Sequence, residues 1–155
     1  MEIERKFLVG EPVPFDLADH PSEEINQGYI AIADDGTEVR IRARGEKHTL
    51  TVKSGPSRSR VEEELELDPR KFDSLWPLTH GRRIEKRRYV IPARGDLAIE
   101  LDVYGGDLAG LVTAEVEFPS EEAADSFDPP PWLGTDVTGD ARYSNQSLAT
   151  RGRPG

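Results

Sequence analysis

Val39-Arg40-Ile41-Arg42-Ala43-Arg44 alternates apolar and basic residues with a period of two. On an extended strand Arg40, Arg42 and Arg44 project from one face and Val39, Ile41 and Ala43 from the other, whereas a helix would scatter them. His48-Thr49-Leu50-Thr51-Val52-Lys53 continues the habit beyond Gly45 and Glu46, which supply turn material, so the two segments predict a hairpin. Further out, Glu2-Ile3-Glu4-Arg5-Lys6-Phe7 sets Glu2, Glu4 and Lys6 against Ile3 and Phe7. Arg60 to Leu67, Lys86 to Ile91, Ile99 to Val103 and Val112 to Phe118 follow the same rule. Gln27 to Ile32 is a β-branched and aromatic run without charge alternation and reads as one more strand. The count is about eight strands joined by turn-sized or helix-sized connections.

Helical material is sparse. Pro69 to Leu78 has Pro in a first-turn position and Phe72, Leu75 and Trp76 on one face, which suits a short helix laid on a sheet. Pro119 to Phe127 opens with a Ser cap and acidic first-turn residues, and Asp140 to Ala149 is a candidate last helix. Pro129 to Pro131 break the chain, and residues 151–155 read as a frayed tail after a single domain spanning residues 1–150.

Composition narrows the setting. The 155 residues contain no cysteine, which excludes disulfides and thiolate metal sites and points to a reducing compartment. No signal-like or membrane-spanning apolar run occurs, so the expectation is a soluble cytoplasmic protein without a membrane partner. A net charge of −10 argues against a nucleic-acid partner held by a basic surface. The average hides a segregation: acidic residues crowd stretches that read as loops, such as Glu11 to Asp35 and Glu121 to Asp140, while many basic residues lie inside strands. The three histidines, His20, His48 and His80, lack metal-ligand spacing, and no P-loop motif occurs.

An alternating charged strand ordinarily wets one face and buries the other. Here the polar faces are built almost wholly of Glu, Asp, Arg and Lys, and single strands repeat one sign, as in Arg40/Arg42/Arg44 and Glu115/Glu117. Neighbouring like charges repel, so a ligand of opposite charge is implied. Eight antiparallel strands are enough to close a barrel, and with apolar positions outward under the short helices the charges line a water-filled tunnel. The expected fold is therefore mainly β (α+β): an eight-stranded, antiparallel, closed β-barrel with a charged interior. Its basic half suits an elongated polyanion, and its acidic half suits hard cations such as Mg²⁺ or Mn²⁺.

The opening Glu2-x-Glu4-x-Lys6 resembles the ExExK signature of the CYTH family, the triphosphate tunnel metalloenzymes. Gln27-Gly28-Tyr29, Val39 to Arg42, Leu50 to Lys53, Arg60 to Glu64, Glu85 to Tyr89, Glu100 to Asp102, Ala114 to Glu117 and Val137 to Asn145 are similar to further family motifs in the same order, from residue 1 to about 149. Glu63 departs from the pattern, since relatives often carry an aromatic residue there. The resemblance implies a metal-dependent hydrolase of a triphosphate-containing small molecule, with compact bacterial members pointing first to inorganic tripolyphosphate. Thiamine or nucleoside triphosphatase and adenylyl cyclase are the alternatives, and a non-catalytic polyphosphate sensor is a rival from another class. A nucleotide would call for a base pocket, for which Tyr29, Tyr104 and Tyr143 are candidates more simply read as packing.

Under that resemblance Lys6, Arg40, Arg42, Lys53, Arg60, Lys86 and Arg88 hold the phosphate chain. Glu2, Glu4, Glu100, Asp102, Glu115 and Glu117 form the metal-ligand set, with Mg²⁺ or Mn²⁺ as cofactor. Glu4, Lys6, Glu62 and Glu64 are the candidate catalytic residues, and Glu62, Glu64, Glu100 and Asp102 are either ligands of a second cation or orienters of the attacking water. The segment from Asp140 to Ala149 would border one tunnel end, with Arg142 as an additional phosphate contact. Apolar strand faces beyond the reach of the helices leave a monomer or a homodimer.

Overall fold

A computed structural model describes residues 3–10, 12–54 and 61–154. Nine strands form one antiparallel sheet: β1 (Ile3–Val9), β2 (Ser22–Ile32), β3 (Glu38–Arg44), β4 (Lys47–Ser54), β5 (Val61–Glu66), β6 (Arg83–Pro92), β7 (Ala98–Tyr104), β8 (Val112–Phe118) and β9 (Leu133–Asp136). Their spatial order is β5-β4-β3-β2-β6-β7-β8-β1-β9. Three short helices accompany them: α1 (Pro69–Leu75), α2 (Glu121–Ser126) and α3 (Asn145–Arg151). Asp68, Ser120 and Ser144 cap them by accepting backbone N–H bonds from Arg70, Ala123 and Ser147. Among the described residues no helix is long and apolar enough to cross a membrane.

The closed eight-stranded barrel expected from the sequence is not what forms. Closure would require β1 to pair with β5, but β1 pairs with β8 on one side and β9 on the other. The extra strand takes the edge that closure needs, leaving β5 and β9 as the two ends of an open sheet. β9 has no alternation to announce it, and its Gly134 reads as turn material. That glycine is what lets β9 approach, since a Cβ there would lie 2.8 Å from the Leu8 carbonyl oxygen. A second difference lies in the acidic stretch before residue 35, read as a loop: β2 begins at Ser22 and carries Glu23 and Glu24 within the ladder.

The main apolar core lies on one face of β1, β7 and β8. Phe7, Leu101, Ala114 and Val116 are buried there with Ala124 of α2 and Leu133 of β9 packed against them. A second cluster lies on the opposite face, where Tyr29, Ile84 and Tyr104 pack with Leu108, Leu111 and the α3 residues Leu148 and Ala149. The sheet curls around this C-terminal segment. Lys6 of β1 donates from Nζ to the Tyr143 carbonyl at 2.6 Å, and three residues later Gln146 donates to Glu38 of β3 at 3.4 Å.

The turn after α1 is pressed against β2 at Gly28. A Cβ at that position would sit 2.5 Å from the Thr79 Cβ, and Thr79 is fully buried, with its hydroxyl bonded to the Trp76 carbonyl and to Arg83. Gly28→Ala is therefore expected to destabilise the fold by about 1–3 kcal/mol through overpacking, measured by urea denaturation. An unchanged midpoint would mean the turn is free to withdraw.

Candidate active site

Directly paired residues of antiparallel strands share a face, so the register decides which charges meet. Between β1 and β8, Glu4 stands opposite Glu117 and Lys6 opposite Glu115. Between β8 and β7, Glu115 stands opposite Glu100 and Thr113 opposite Asp102; Asp102 in turn faces Arg88 of β6. Across β2 the same face continues through Glu23 opposite Arg88 and Ile25 opposite Lys86. It reaches β3 with Gln27 opposite Arg42 and Tyr29 opposite Arg40, then β4 and β5 with Lys53 opposite both Glu38 and Glu62, and Thr51 opposite both Arg40 and Glu64.

Every described candidate from the sequence thus lies on one face: Glu4, Lys6, Arg40, Arg42, Lys53, Glu62, Glu64, Lys86, Arg88, Glu100, Asp102, Glu115 and Glu117. Glu2 and Arg60 lie outside the described residues. Carboxylates concentrate on β1, β7 and β8 and again on the edge strand β5, with the cations of β3, β4 and β6 between them and α3 over the apolar end of the same face.

The charges are unequally compensated. Arg40 pairs with Glu38 at 3.2 Å, Arg44 pairs with Glu23, Lys53 with Glu62 at 3.4 Å and Lys6 with Glu115 at 3.6 Å. Arg42, between Arg40 and Arg44, makes no ion pair among the described residues. Burial first, then repulsion from Arg44 and Arg40, pulls its guanidinium below the ordinary arginine value, a cost that an anion would relieve. At the centre Asp102 binds Lys86 at 2.9 Å and Arg88 through a fork at 2.8 and 3.0 Å. Burial alone would push the Asp102 carboxyl up, but Lys86 and Arg88 together hold it below the usual carboxylate range. The buried Lys86 ammonium is pulled down by desolvation, which outweighs the attraction of Asp102.

Beside the acidic strands lies a cavity of about 380 Å³ lined by Glu4, Lys6, Glu115 and the 137–145 segment. The Asp140 to Ala149 segment does border this face, but Arg142 is exposed and paired with Asp140 at 2.7 Å. Among the described residues no three His, Asp or Glu side chains are already gathered around one point. The donor chemistry nonetheless fits a hard cation that keeps several waters. Glu4 and Glu117 stand opposite on adjacent strands with Glu115 next along β8, and all are oxygen donors open to solvent or half-buried.

Sequence reading missed Glu23 and Glu38, which pair with Arg44 and Arg40, and the threonines Thr49, Thr51 and Thr113 buried among the charges. Parity with Arg40 across Val39 was a usable signal for Glu38. Nothing local marked Glu23, whose face depends on the β2–β6 register.

A model of the CYTH domain matches residues 1–152. The chain is 45% identical over 148 residues to an inorganic triphosphatase of Nitrosomonas europaea, covering 96% of each, and 38% identical over 149 residues to an inorganic triphosphatase of Acetivibrio thermocellus, covering 95% of this chain and 92% of that one. A crystal structure of an inorganic triphosphatase superposes with a TM-score of 0.83 at 42% identity, covering 100% of this chain and 97% of the other. One charged sheet face, the ordered motifs and a family match running nearly end to end lead to one assignment: this chain belongs to the CYTH domain family.

Proposed function

We propose that this protein is a metal-dependent triphosphatase that cleaves inorganic tripolyphosphate to pyrophosphate and phosphate. The observation that carries this reading is the shared face of carboxylate and cation strands, supported by relatives named inorganic triphosphatase. Phosphoanhydride hydrolysis asks mainly for positioning and charge stabilisation, which fixed cations supply without covalent chemistry. Arg40, Arg42, Lys53, Arg60, Lys86, Arg88 and Lys6 hold the chain and offset its charge. Glu2, Glu4, Glu100, Glu115 and Glu117 would hold Mg²⁺ or Mn²⁺; the bound cation lowers the pKa of water and offsets charge on the phosphate oxygens. Lys6, held by the Tyr143 carbonyl, is aimed at the same cavity as Glu4. Glu62 and Glu64 orient the attacking water from the edge strand and accept its proton. The absence of cysteine suits a cytoplasmic protein.

An inorganic substrate is preferred over a nucleotide because Tyr29 and Tyr104 are only 1% and 4% exposed and present no open ring for a base to stack on, and the half-buried Tyr143 already has the Arg142 guanidinium 5.7 Å from its ring centre. The direct experiment is incubation with tripolyphosphate, ATP and thiamine triphosphate, each with Mg²⁺ or Mn²⁺, followed by product analysis. Equal yields of pyrophosphate and phosphate from tripolyphosphate, at the highest kcat/KM of the three, are expected. Binding without turnover would favour a sensor, and faster ATP cleavage would overturn the substrate assignment.

Ligand binding also shows in stability. Saturation at about 100 times Kd adds about 2.7 kcal/mol, which raises Tm by about 5–10 °C for a chain of this size. Differential scanning fluorimetry with millimolar Mg²⁺ and tripolyphosphate measures the shift, and an unmoved Tm would contradict the site.

A further inference from the structure

The Asp102 side chain is 2% exposed, the most enclosed of the carboxylates on the charged face that form ion pairs. Its Oδ2 accepts from Lys86 Nζ at 2.9 Å and from Arg88 Nη2 at 3.0 Å, while Oδ1 accepts from Arg88 Nε at 2.8 Å. Three of about four acceptor positions of the carboxylate are thereby filled, all by charged donors. The other acidic candidates differ. Glu115 meets Lys6 at 3.6 Å and Glu100 meets Arg88 at 3.4 Å, both looser and more exposed.

We propose that Asp102 is a positioning residue for substrate, locking Lys86 and Arg88 into a two-cation platform for one phosphoryl group, and that it ligates no metal ion. The inference rests on the triphosphatase reading and corrects the metal set drawn from sequence. Asp102 has only one acceptor position left, on Oδ1, and a cation taking it would sit against two buried positive charges, Lys86 and Arg88. Holding both, it leaves one net positive charge on a fixed plane: the fork fixes the guanidinium, and the lysine head lies 5.6 Å from the centre of the Tyr104 ring. A lysine and an arginine immobilised before substrate arrives need no reordering on binding, which is what charge stabilisation in a phosphoryl-transfer site requires.

The test compares Asp102→Asn with Glu115→Gln in two titrations on the full chain, Mn²⁺ alone and tripolyphosphate in a metal chelator, alongside steady-state kinetics. Asp102→Asn is expected to leave Mn²⁺ affinity within about twofold of the parent while weakening tripolyphosphate binding and raising KM about tenfold or more. Glu115→Gln is expected to weaken Mn²⁺ binding. A tenfold loss of Mn²⁺ affinity in Asp102→Asn would overturn the proposal. Should that variant fail to fold, Lys86→Met provides an independent measurement: it frees one Asp102 acceptor position while Arg88 stays paired. Unchanged Mn²⁺ affinity with weakened tripolyphosphate binding upholds the platform, and tightened Mn²⁺ binding overturns it. If the parent protein turns over no triphosphate, the functional reading fails by itself, and the two titrations still decide the role of Asp102.

Discussion

Glu4→Gln is expected to lower tripolyphosphate turnover by about 10³-fold while leaving the ligand-free protein folded. Glu4 stands directly opposite Glu117 on the neighbouring strand, and like charges so placed repel. What disappears is one of the carboxylates of the 380 Å³ cavity, which Glu4 shares with Lys6 and Glu115. Kinetics over a Mg²⁺ series, with circular dichroism as the control for folding, separates the two effects. The Mg²⁺-linked rise in Tm should shrink in the same variant. Turnover above about a tenth of the parent's would remove Glu4 from the machinery.

Arg42→Met is expected to weaken tripolyphosphate binding about 100-fold and to raise the stability of the free protein. The side chain keeps its stem packing in methionine but loses a charge that the fold disfavours. Arg42 titrates below its ordinary value because of burial and then of Arg44 and Arg40, so the charged form is the one penalised in the folded state. It stays protonated throughout the working pH range, so the penalty is present at every pH of interest and is relieved only by an anion or by substitution. Arg44 and Arg40 are tied to Glu23 and Glu38, so replacing either should weaken binding less than replacing Arg42. Isothermal titration of the three variants would rank them, and an equal loss at all three would refute the special place of Arg42.

Much of this site was legible before any coordinates because period-two alternation commits a whole strand at once. Once Arg40 faces inward, Arg42 must follow, and the later pairing of Gln27 with Arg42 and Thr51 with Arg40 changes none of that. What alternation leaves open is who pairs with whom. β9 escaped notice because four residues containing a glycine have no pattern, yet that strand occupies the edge of β1 that a closed barrel would need. The ion-pair partners of Asp102 were not legible for a related reason. Its spacing from Glu100 suggests a ligand pair, but its partners sit on β6 and are fixed by register, not by neighbours in sequence. Glu23 was lost among acidic residues whose strand begins earlier than its apolar content indicates.

The unclosed sheet has a further consequence at its β5 margin. Unsatisfied peptide groups along such a margin invite another molecule to add itself as the next strand. Four of the six residues there, Glu62, Glu63, Glu64 and Glu66, are negatively charged and exposed, and two copies aligned side by side would stack these charges against one another. Glu63 lies between the two exposed aliphatic residues Val61 and Leu65 on one face of β5, so the apolar pair is offered to a neighbour only together with a negative charge.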